Sequence, residues 1–175
     1  LIVKGIYTKY KMKSQDKHET PKIIFTMKTT AQPPKGISVI VPTYNRRSSL
    51  QLCIESLGKQ RYETFEIIVV DAASTDVTAE FLLNLYEPRL RVLRLPRNCG
   101  ASAARNAGIA AASMPLLAFT DDDCEAKEDW LRHLVSPFSD PSCGLVIGQA
   151  WYCNQHHRPR FPEKIVHNHN AAWPM

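Results

Sequence analysis

The chain has 175 residues, of which 44% are hydrophobic and 22% are charged. This length suits one domain with a substantial core, and this composition excludes disorder throughout the chain. The net charge of +5 is concentrated in residues 1–35, which hold eight lysines and two acidic residues. The other residues hold 14 basic and 15 acidic groups, a net charge of −1. Because a nucleic-acid-binding domain carries its basic residues on the folded body, no nucleic-acid partner is predicted.

The cysteines and the apolar stretches of the sequence indicate the cellular compartment of the protein. The five cysteines are odd in number and have no paired spacing, which favours free thiols in a reducing environment. The longest apolar stretch, Ala107–Phe119, is too short to span a bilayer and is broken by Ser113 and Pro115. No signal-peptide pattern opens the chain. We therefore predict a cytoplasmic protein without a transmembrane segment, for which peripheral contact at the inner face of a membrane stays open.

Residues 1–36 are predicted to be a poorly ordered basic leader. They are rich in Lys, Thr and Gln, lack sustained hydrophobic periodicity, and end in Pro33-Pro34-Lys35-Gly36. The apolar run Ile23-Ile24-Phe25 could form an edge strand within this leader. Either Leu1 or Met27 suits the start of translation.

From residue 37, apolar runs alternate with amphipathic segments. Continuous runs of this kind are typical of parallel strands that are buried on both faces. The predicted strands are 37–42, 65–70, 90–95, 116–120 and 144–150, of which 90–95 is half polar and therefore nearer an edge.

Four helices are predicted between these strands. The pattern Ser48-x-x-Gln51 is that of a capping box, and Asp76 suits the N-terminal cap of the next helix. Ala101–Ala112 is so rich in alanine that this helix must pack closely. A further helix carries an apolar face between Trp130 and Phe138.

The alternation predicts an α/β domain at residues 37–150, with an open, mainly parallel, Rossmann-like sheet flanked by helices. In such sheets ligands bind beyond the carboxyl ends of the strands. Those ends carry Pro42–Arg46, Asp71–Ser74 and Asp121–Asp123. The sequence therefore predicts the functional site at this edge.

Three consecutive carboxylates, Asp121, Asp122 and Asp123, follow the strand at 116–120. Such crowding of like charges is favourable around a hard divalent cation, which takes oxygen ligands and cancels the charge. The alternative is a solvated acidic turn at the start of the next helix. Neither a G-x-G-x-x-G motif nor a P-loop motif occurs, so a nucleotide diphosphate would be held through Mg²⁺ or Mn²⁺ rather than by a glycine cradle.

Four blocks of the sequence stand out: Val39–Arg46, Ile67–Asp71 with Ser74–Asp76, Asn98–Gly100 with Ala104–Gly108, and Phe119–Asp123. Together these blocks resemble glycosyltransferase family 2. They occur in the family's order and spacing, and agreement weakens towards residue 150. The resemblance implies a GT-A fold and inverting transfer of a sugar, commonly from a UDP-sugar, with a divalent cation. It also implies a saccharide or lipid-linked acceptor and a role in cell-envelope polysaccharide biosynthesis.

The resemblance also implies roles for individual residues. Asp71 would accept a hydrogen bond from the base, and Asp123 would bind the metal that bridges the phosphates, assisted by Asp121 near the ribose and sugar. The implied nucleotide-sugar-binding residues are Pro42, Thr43, Asn45, Asp71, Arg105, Asn106, Asp121 and Asp122.

Two departures from the family pattern stand out. Ala72-Ala73 replace the usual Asp and Gly after Asp71, which puts the donor's identity in doubt. No segment before Met175 resembles the family's acceptor-binding half with its catalytic carboxylate. We therefore expect a C-terminally incomplete chain that binds donor and metal without transferring sugar. The alternatives are a non-catalytic nucleotide-sugar-binding remnant and a nucleotidyltransferase, although the latter usually has a Gly-rich, Arg-containing loop after its first strand.

Residues 151–175 are predicted to be the irregular start of the acceptor-side region. The spacing of Cys153, His156, His157, His167 and His169 matches no closed zinc site, so structural zinc is not predicted. A histidine of this segment could instead complete a Mn²⁺ site.

Overall fold

Six strands form one sheet in the computed structural model, which describes residues 2–4, 35–140 and 143–148. Their order across the sheet is β4-β3-β2-β5-β1-β6. The first four in this order are mutually parallel, whereas β1 runs antiparallel to both of its neighbours. The strands are β1 (Ile2–Lys4), β2 (Ile37–Thr43), β3 (Phe65–Asp71), β4 (Leu90–Arg94), β5 (Leu116–Phe119) and β6 (Leu145–Val146).

Helices connect the parallel strands, as a parallel sheet requires. The predicted α/β architecture with an open, mainly parallel sheet is thus confirmed. None of the described helices is long and apolar enough to cross a membrane. The helices are α1 (Arg47–Gly58), α2 (Thr78–Asn84), α3 (Gly100–Ala111) and α4 (Trp130–Val135), the last followed by a 3₁₀ turn at Ser136–Ser139.

Strands β2, β3 and β5 are buried, whereas β4 is partly exposed. Successive side chains of a strand point to opposite faces of the sheet, so each buried strand contributes to both faces. On one face, Val39 and Val41 of β2 belong to a hydrophobic cluster with residues of α1, α2 and α4. On the other face, Ile40 belongs to a second cluster that includes Ala104 of α3. Two buried faces explain why β2 and β3 are continuous apolar runs.

The prediction of a poorly ordered leader is wrong for Ile2–Lys4, which form β1. This strand pairs with β5 through Ile2–Ala118 and with β6 through Ile2–Val146. An open strand edge offers unpaired backbone groups, and even three residues can satisfy them. The candidate edge strand Ile23–Phe25 lies outside the described residues. The last strand is shorter than predicted, since only Leu145–Val146 are paired among its described residues.

The predicted capping box of α1 is also wrong. The helix begins at Arg47, with Arg46 at the N-cap and no side-chain capping bond. The backbone N–H of Leu50 bonds to the carbonyl oxygen of Arg46 at 3.0 Å, so the helical ladder starts two residues before Ser48. Gln51 donates to Glu55 instead. Asp76 lies one residue before the N-cap of α2, and its carboxylate accepts a hydrogen bond from the backbone of Thr78, as a cap does.

The predicted close packing of the Ala-rich helix centres on Gly108 of α3. A β-carbon at this position would lie 2.5 Å from Cγ2 of Ile40 and 3.3 Å from Cγ2 of Val70. Ile40 and Val70 are fully buried in the sheet, so their side chains cannot shift away from an added methyl group without displacing other core residues. The absent side chain therefore lets α3 approach the sheet, which places Arg105 near the end of β5.

At the opposite end of the sheet from Asp71, Glu66 anchors β3 to its surroundings. Its Oε1 accepts hydrogen bonds from the hydroxyls of Ser38 and Ser113 and from the backbone of Ser113, all at 2.7 Å, and Arg91 lies beside Oε2. Burial acts to raise the pKa of Glu66, but these hydrogen bonds and Arg91 together hold it below its usual value.

Replacing Gly108 by Ala should destabilise the protein by about 1–3 kcal/mol, because the added methyl group overpacks the contact with Ile40. Helix propensity alone favours Ala, by up to about 1 kcal/mol. The sign of the change in unfolding free energy therefore distinguishes overpacking from propensity. Urea denaturation provides the measurement. The control is Ala110→Gly at an exposed position of the same helix, which should cost about 1 kcal/mol through propensity. A stabilised G108A variant would contradict the close approach.

Replacing Glu66 by Gln should cost about 1 kcal/mol at pH 7, since a charged acceptor is lost from a buried network. A lowered pKa stabilises the fold above the unfolded value of about 4.3, and this contribution is lost as the pH falls through the folded pKa. The difference between wild type and variant should therefore shrink below about pH 4. Denaturation at several pH values tests this, with exposed Glu63→Gln as the control for one surface charge. A difference that stayed constant with pH would count against it.

Candidate functional site

Three segments meet at the carboxyl ends of β2, β3 and β5. They are the loop Thr43–Arg46, the turn at residues 72–76, and the acidic triplet Asp121–Asp123. The hydroxyl of Thr43 donates to Oδ2 of Asp122 at 2.7 Å, and the backbone of Ala72 donates to the carbonyl oxygen of Thr43 at 2.9 Å. The parallel order β3-β2-β5 thus brings together segments that are up to 79 residues apart, at the predicted edge.

The triplet divides into one buried and two exposed carboxylates. Asp122 is only 6% exposed, and its oxygens accept hydrogen bonds from Thr43 and Arg46. Burial raises the pKa of Asp122 above its usual value, although the bond from Thr43 and the charge of Arg46 oppose this shift. The side chains of Asp121 and Asp123 are 59% and 53% exposed. The outer two carboxylates are therefore available to a ligand, whereas Asp122 supports the turn.

An arginine lies against each exposed carboxylate. Nη1 of Arg46 is 2.8 Å from Oδ2 of Asp123 and 3.4 Å from Oδ1 of Asp122. Nη2 of Arg105 on α3 is 2.6 Å from Oδ1 of Asp121. The charges of Asp122 and Asp123 raise the pKa of Arg46. Exposed ion pairs of this kind contribute little to stability, so the guanidinium groups can be exchanged for another cation at small cost.

Asp121 and Asp123 fit a divalent cation by the chemistry of their donors. Mg²⁺ and Mn²⁺ prefer oxygen ligands, and such sites use one or two carboxylates together with water and substrate phosphates. Within residues 2–4, 35–140 and 143–148, no group of three or more His, Cys, Asp or Glu side chains could hold a metal ion alone. The arrangement suits a cation shared with a ligand. The histidines and Cys153 of the predicted acceptor-side region lie outside the described residues.

Cys53 of α1 packs beneath the triplet. Its thiol is buried and donates to the carbonyl oxygen of Asp121 at 3.6 Å. Burial raises its pKa to about 12, with the neighbouring Cys124 and the three carboxylates adding to the effect. The thiol therefore stays protonated and has a packing role. The four cysteines in the described part of the chain are free, as predicted.

Asn45 ties the loop after β2 to the turn after β3. Its backbone has a φ of +53°, and its Oδ1 accepts hydrogen bonds from the backbone of Thr75 at 2.8 Å and of Asp76 at 3.3 Å. Its own backbone N–H donates to the hydroxyl of Ser74. Pro42 is buried inside β2, next to Val70. These two residues shape the edge, and direct contact with a nucleotide stays a prediction for both.

Asp71 has a 1% exposed side chain whose two oxygens are already bonded. Oδ1 accepts from the backbone of Ser74 at 2.8 Å, and Oδ2 lies 3.0 Å from Nη1 of Arg94. Because only 1% of this side chain is exposed, a direct bond from a base to Asp71 would require Arg94 or the turn to move.

The turn keeps an unusual backbone conformation without the family's glycine. Ala73 has a φ of +62°, in the left-handed region that favours glycine. The bonds from Asn45 and Arg94 hold it there, since Arg94 also donates to the carbonyl oxygen of Ser74 at 2.8 Å. The replacement of Gly by Ala has therefore introduced strain but has not removed the turn.

A cavity of about 470 Å³ opens beside the triplet. Arg105, Asn106 and Asp121, three of the predicted site residues, lie along it. Two functional candidates were missed by sequence reasoning, Arg46 and Arg94. Three adjacent carboxylates need a nearby counter-charge, but no sequence pattern singles out Arg46, which is 77 residues from Asp123. The polar positions of β4 are those of an edge strand, and this pattern does not distinguish Arg94 from a solvent-exposed residue.

The sequence model described as "Glycosyl transferase family 2" matches residues 38–173. The chain belongs to glycosyltransferase family 2. Its curated relatives include the glycosyltransferase AglE of Haloferax volcanii, 36% identical over 118 residues, which are 65% of this chain and 39% of AglE.

Two solved structures share the architecture of this chain. S. aureus TarS 1-349 in complex with UDP-GlcNAc is 32% identical, with a TM-score of 0.54 over 61% of this chain and 31% of that one. The mannosyltransferase PcManGT of Pyrobaculum calidifontis, in complex with GDP-Man and Mn²⁺, is 27% identical, with a TM-score of 0.57 over 63% and 35%. The fold is therefore GT-A, as the resemblance implied. The chain spans about a third to two fifths of these proteins' lengths.

Replacing Ala73 by Gly should stabilise the protein by about 1 kcal/mol, because glycine adopts a positive φ without steric cost. Thermal or urea denaturation measures the gain. The control is Ala72→Gly at the preceding buried position, where φ is not positive and the change should destabilise. Equal losses in the two variants would show that Ala73 is unstrained.

Proposed function

We propose that the chain binds a nucleotide diphosphate sugar together with Mn²⁺ or Mg²⁺. We propose further that the protein containing it transfers the sugar, with inversion, to a saccharide or lipid-linked acceptor. The observation that carries the proposal is the pair of exposed carboxylates, Asp121 and Asp123, at the carboxyl end of β5, each balanced by an exchangeable arginine. Two like-charged oxygen donors at this edge suit a cation and the phosphates that it accompanies.

Family membership supports the donor class. TarS was solved with UDP-GlcNAc and PcManGT with GDP-Man and Mn²⁺. A UDP-sugar is the donor that the sequence resemblance implies, and the TarS complex favours it. Membership in family 2 also disfavours the nucleotidyltransferase alternative. The binding-only alternative rested partly on Ala72-Ala73, and the intact turn weakens that ground.

The residues around the acidic triplet have separate roles in this proposal. Asp123 and Asp121 would hold the cation, which as a Lewis acid would stabilise negative charge on the departing nucleotide diphosphate. Thr43 keeps Asp122 in place and so fixes the turn that presents its two neighbours. With a cation held by these carboxylates, the guanidinium groups of Arg46 and Arg105 would be free to bind phosphate oxygens. No catalytic base is assigned among the described residues.

Replacing Asp123 by Ala should weaken Mn²⁺-dependent binding of UDP or GDP by at least about 10- to 100-fold, because a metal ligand is lost. Isothermal titration calorimetry of the 175-residue chain, with and without Mn²⁺, measures this. Folding should be nearly unchanged, since the Arg46–Asp123 ion pair is exposed. Glu125→Ala, an exposed carboxylate two residues further on, is the matched control and should bind like wild type.

Metal-dependent affinity in D123A equal to that of wild type would remove Asp123 from the proposed site. Release of nucleoside diphosphate from a donor sugar by a full-length version of the protein would support the enzyme. Binding without release in that full-length version would support the binding-only alternative.

A further inference from the structure

A guanidinium group lies beside the turn at residues 72–76, where the family pattern has a second carboxylate. Arg94 is the last residue of β4 and is paired in register with Asp71, the last residue of β3. Nη1 of Arg94 donates to Oδ2 of Asp71 at 3.0 Å, and Nη2 donates to the carbonyl oxygen of Ser74 at 2.8 Å. The side chain of Arg94 is nevertheless 51% exposed. It is thus held in place from the protein side while facing solvent at the ligand edge.

Asp71 is suited to positioning Arg94. A carboxylate that is 1% exposed needs a partner of opposite charge, because an unpaired buried charge is strongly destabilising. Its other oxygen is occupied by the backbone of Ser74 at 2.8 Å. Asp71 therefore fixes the guanidinium and the turn together, and it exposes almost no surface of its own to a ligand.

Arg94 keeps donors for a ligand. A guanidinium has five N–H donors, of which the bonds to Asp71 and Ser74 engage two. Ala72 and Ala73, which follow Asp71, have no polar side-chain atoms. A base lying at this end of β3 would therefore meet the hydrogen-bond donors of Arg94 where a second carboxylate would have offered acceptors.

We propose that Arg94 contacts the base of the nucleotide donor by donating a hydrogen bond to the carbonyl oxygen at O4 of uracil or O6 of guanine, and that Asp71 positions Arg94 for this contact. This inference rests on the proposed function. The carbonyl chemistry is shared by O4 of uracil and O6 of guanine. Cytosine and adenine carry an amino group at the corresponding position. Its N–H donors would face the N–H donors of Arg94, and no hydrogen bond could form. A site that hydrogen-bonds one group rejects an analogue that cannot complete the bond.

The test is calorimetry of the 175-residue chain with Mn²⁺ and four nucleotides: UDP, CDP, GDP and ADP. Wild type should bind UDP more tightly than CDP, or GDP more tightly than ADP, by about tenfold. The pair that shows the preference identifies the base. This comparison needs no variant, so the absence of any preference would overturn the inference even if changes at Arg94 impair folding.

Two matched variants locate the contact. Arg94→Gln keeps a donor for Asp71 but is too short to reach beyond it, and should remove the tenfold preference while leaving CDP and ADP unchanged. Arg91→Gln is the control, because Arg91 lies on the same strand, is 49% exposed and is also paired with a buried carboxylate, Glu66. It should keep the preference.

Two results would overturn the inference while leaving the proposed function intact. One is equal affinity of wild type for UDP and CDP and for GDP and ADP. The other is an Arg94→Gln variant that weakens all four nucleotides equally, which would place Arg94 in support of the turn or against the phosphates. If wild type bound none of the four nucleotides, the proposed function would be overturned and the inference with it.

Discussion

The separation of three adjacent carboxylates is the constraint on which the site depends. Like charges cannot share one environment without cost, and Asp121, Asp122 and Asp123 are accordingly placed in different ones. Asp122 is buried and bonded to Thr43, whereas its neighbours face solvent beside Arg105 and Arg46. Each compensating group comes from a different element, so this arrangement exists only when β2, α3 and β5 are assembled. The charge distribution of the site therefore depends on the assembled fold.

The loops beside the triplet are held by polar contacts rather than by apolar packing. Asn45 joins the loop after β2 to the turn after β3, and Arg94 joins that turn to Asp71. The strained φ of Ala73 persists because these bonds fix its neighbours. Strain is often retained where geometry serves a ligand, and here it maintains a turn at the edge where the strands end. The scaffold beneath is apolar and close-packed, as the contact between Gly108 and Ile40 illustrates.

Much of the fold could be predicted from the sequence because its core strands carry an unambiguous pattern. The apolar runs ending at Thr43 and Asp71 are typical of strands buried on both faces, and the helices between them favour parallel pairing. The convergence of the loop after β2 with the acidic triplet followed from the rule for ligand sites in such sheets. β1 was missed because three residues carry no periodic signal.

The electrostatic partners could not be predicted from local patterns. Arg46 and Asp123 are 77 residues apart, and Arg94 and Asp71 are 23 apart. Which carboxylate would be buried depends on the register of β5 against β2, which no short window of sequence encodes. The same holds for the start of α1. The Ser48-x-x-Gln51 pattern indicates an N-cap at Ser48, whereas the N-cap is Arg46 and the helix begins at Arg47. The sequence thus predicted that these segments meet at the carboxyl-terminal edge of the sheet. The ion pairs and hydrogen bonds at that edge became apparent only in the three-dimensional structure.

A crystal structure of the chain with Mn²⁺ and UDP or GDP is the most direct test of the central claim, that the exposed carboxylates of the triplet hold a cation shared with a diphosphate. The account predicts anomalous density for Mn²⁺ about 2.1 Å from a carboxylate oxygen of Asp123, with diphosphate oxygens completing its coordination and Arg46 no longer bonded to Asp123. Metal bound elsewhere, or a nucleotide lying away from the carboxyl ends of β2 and β5, would contradict it.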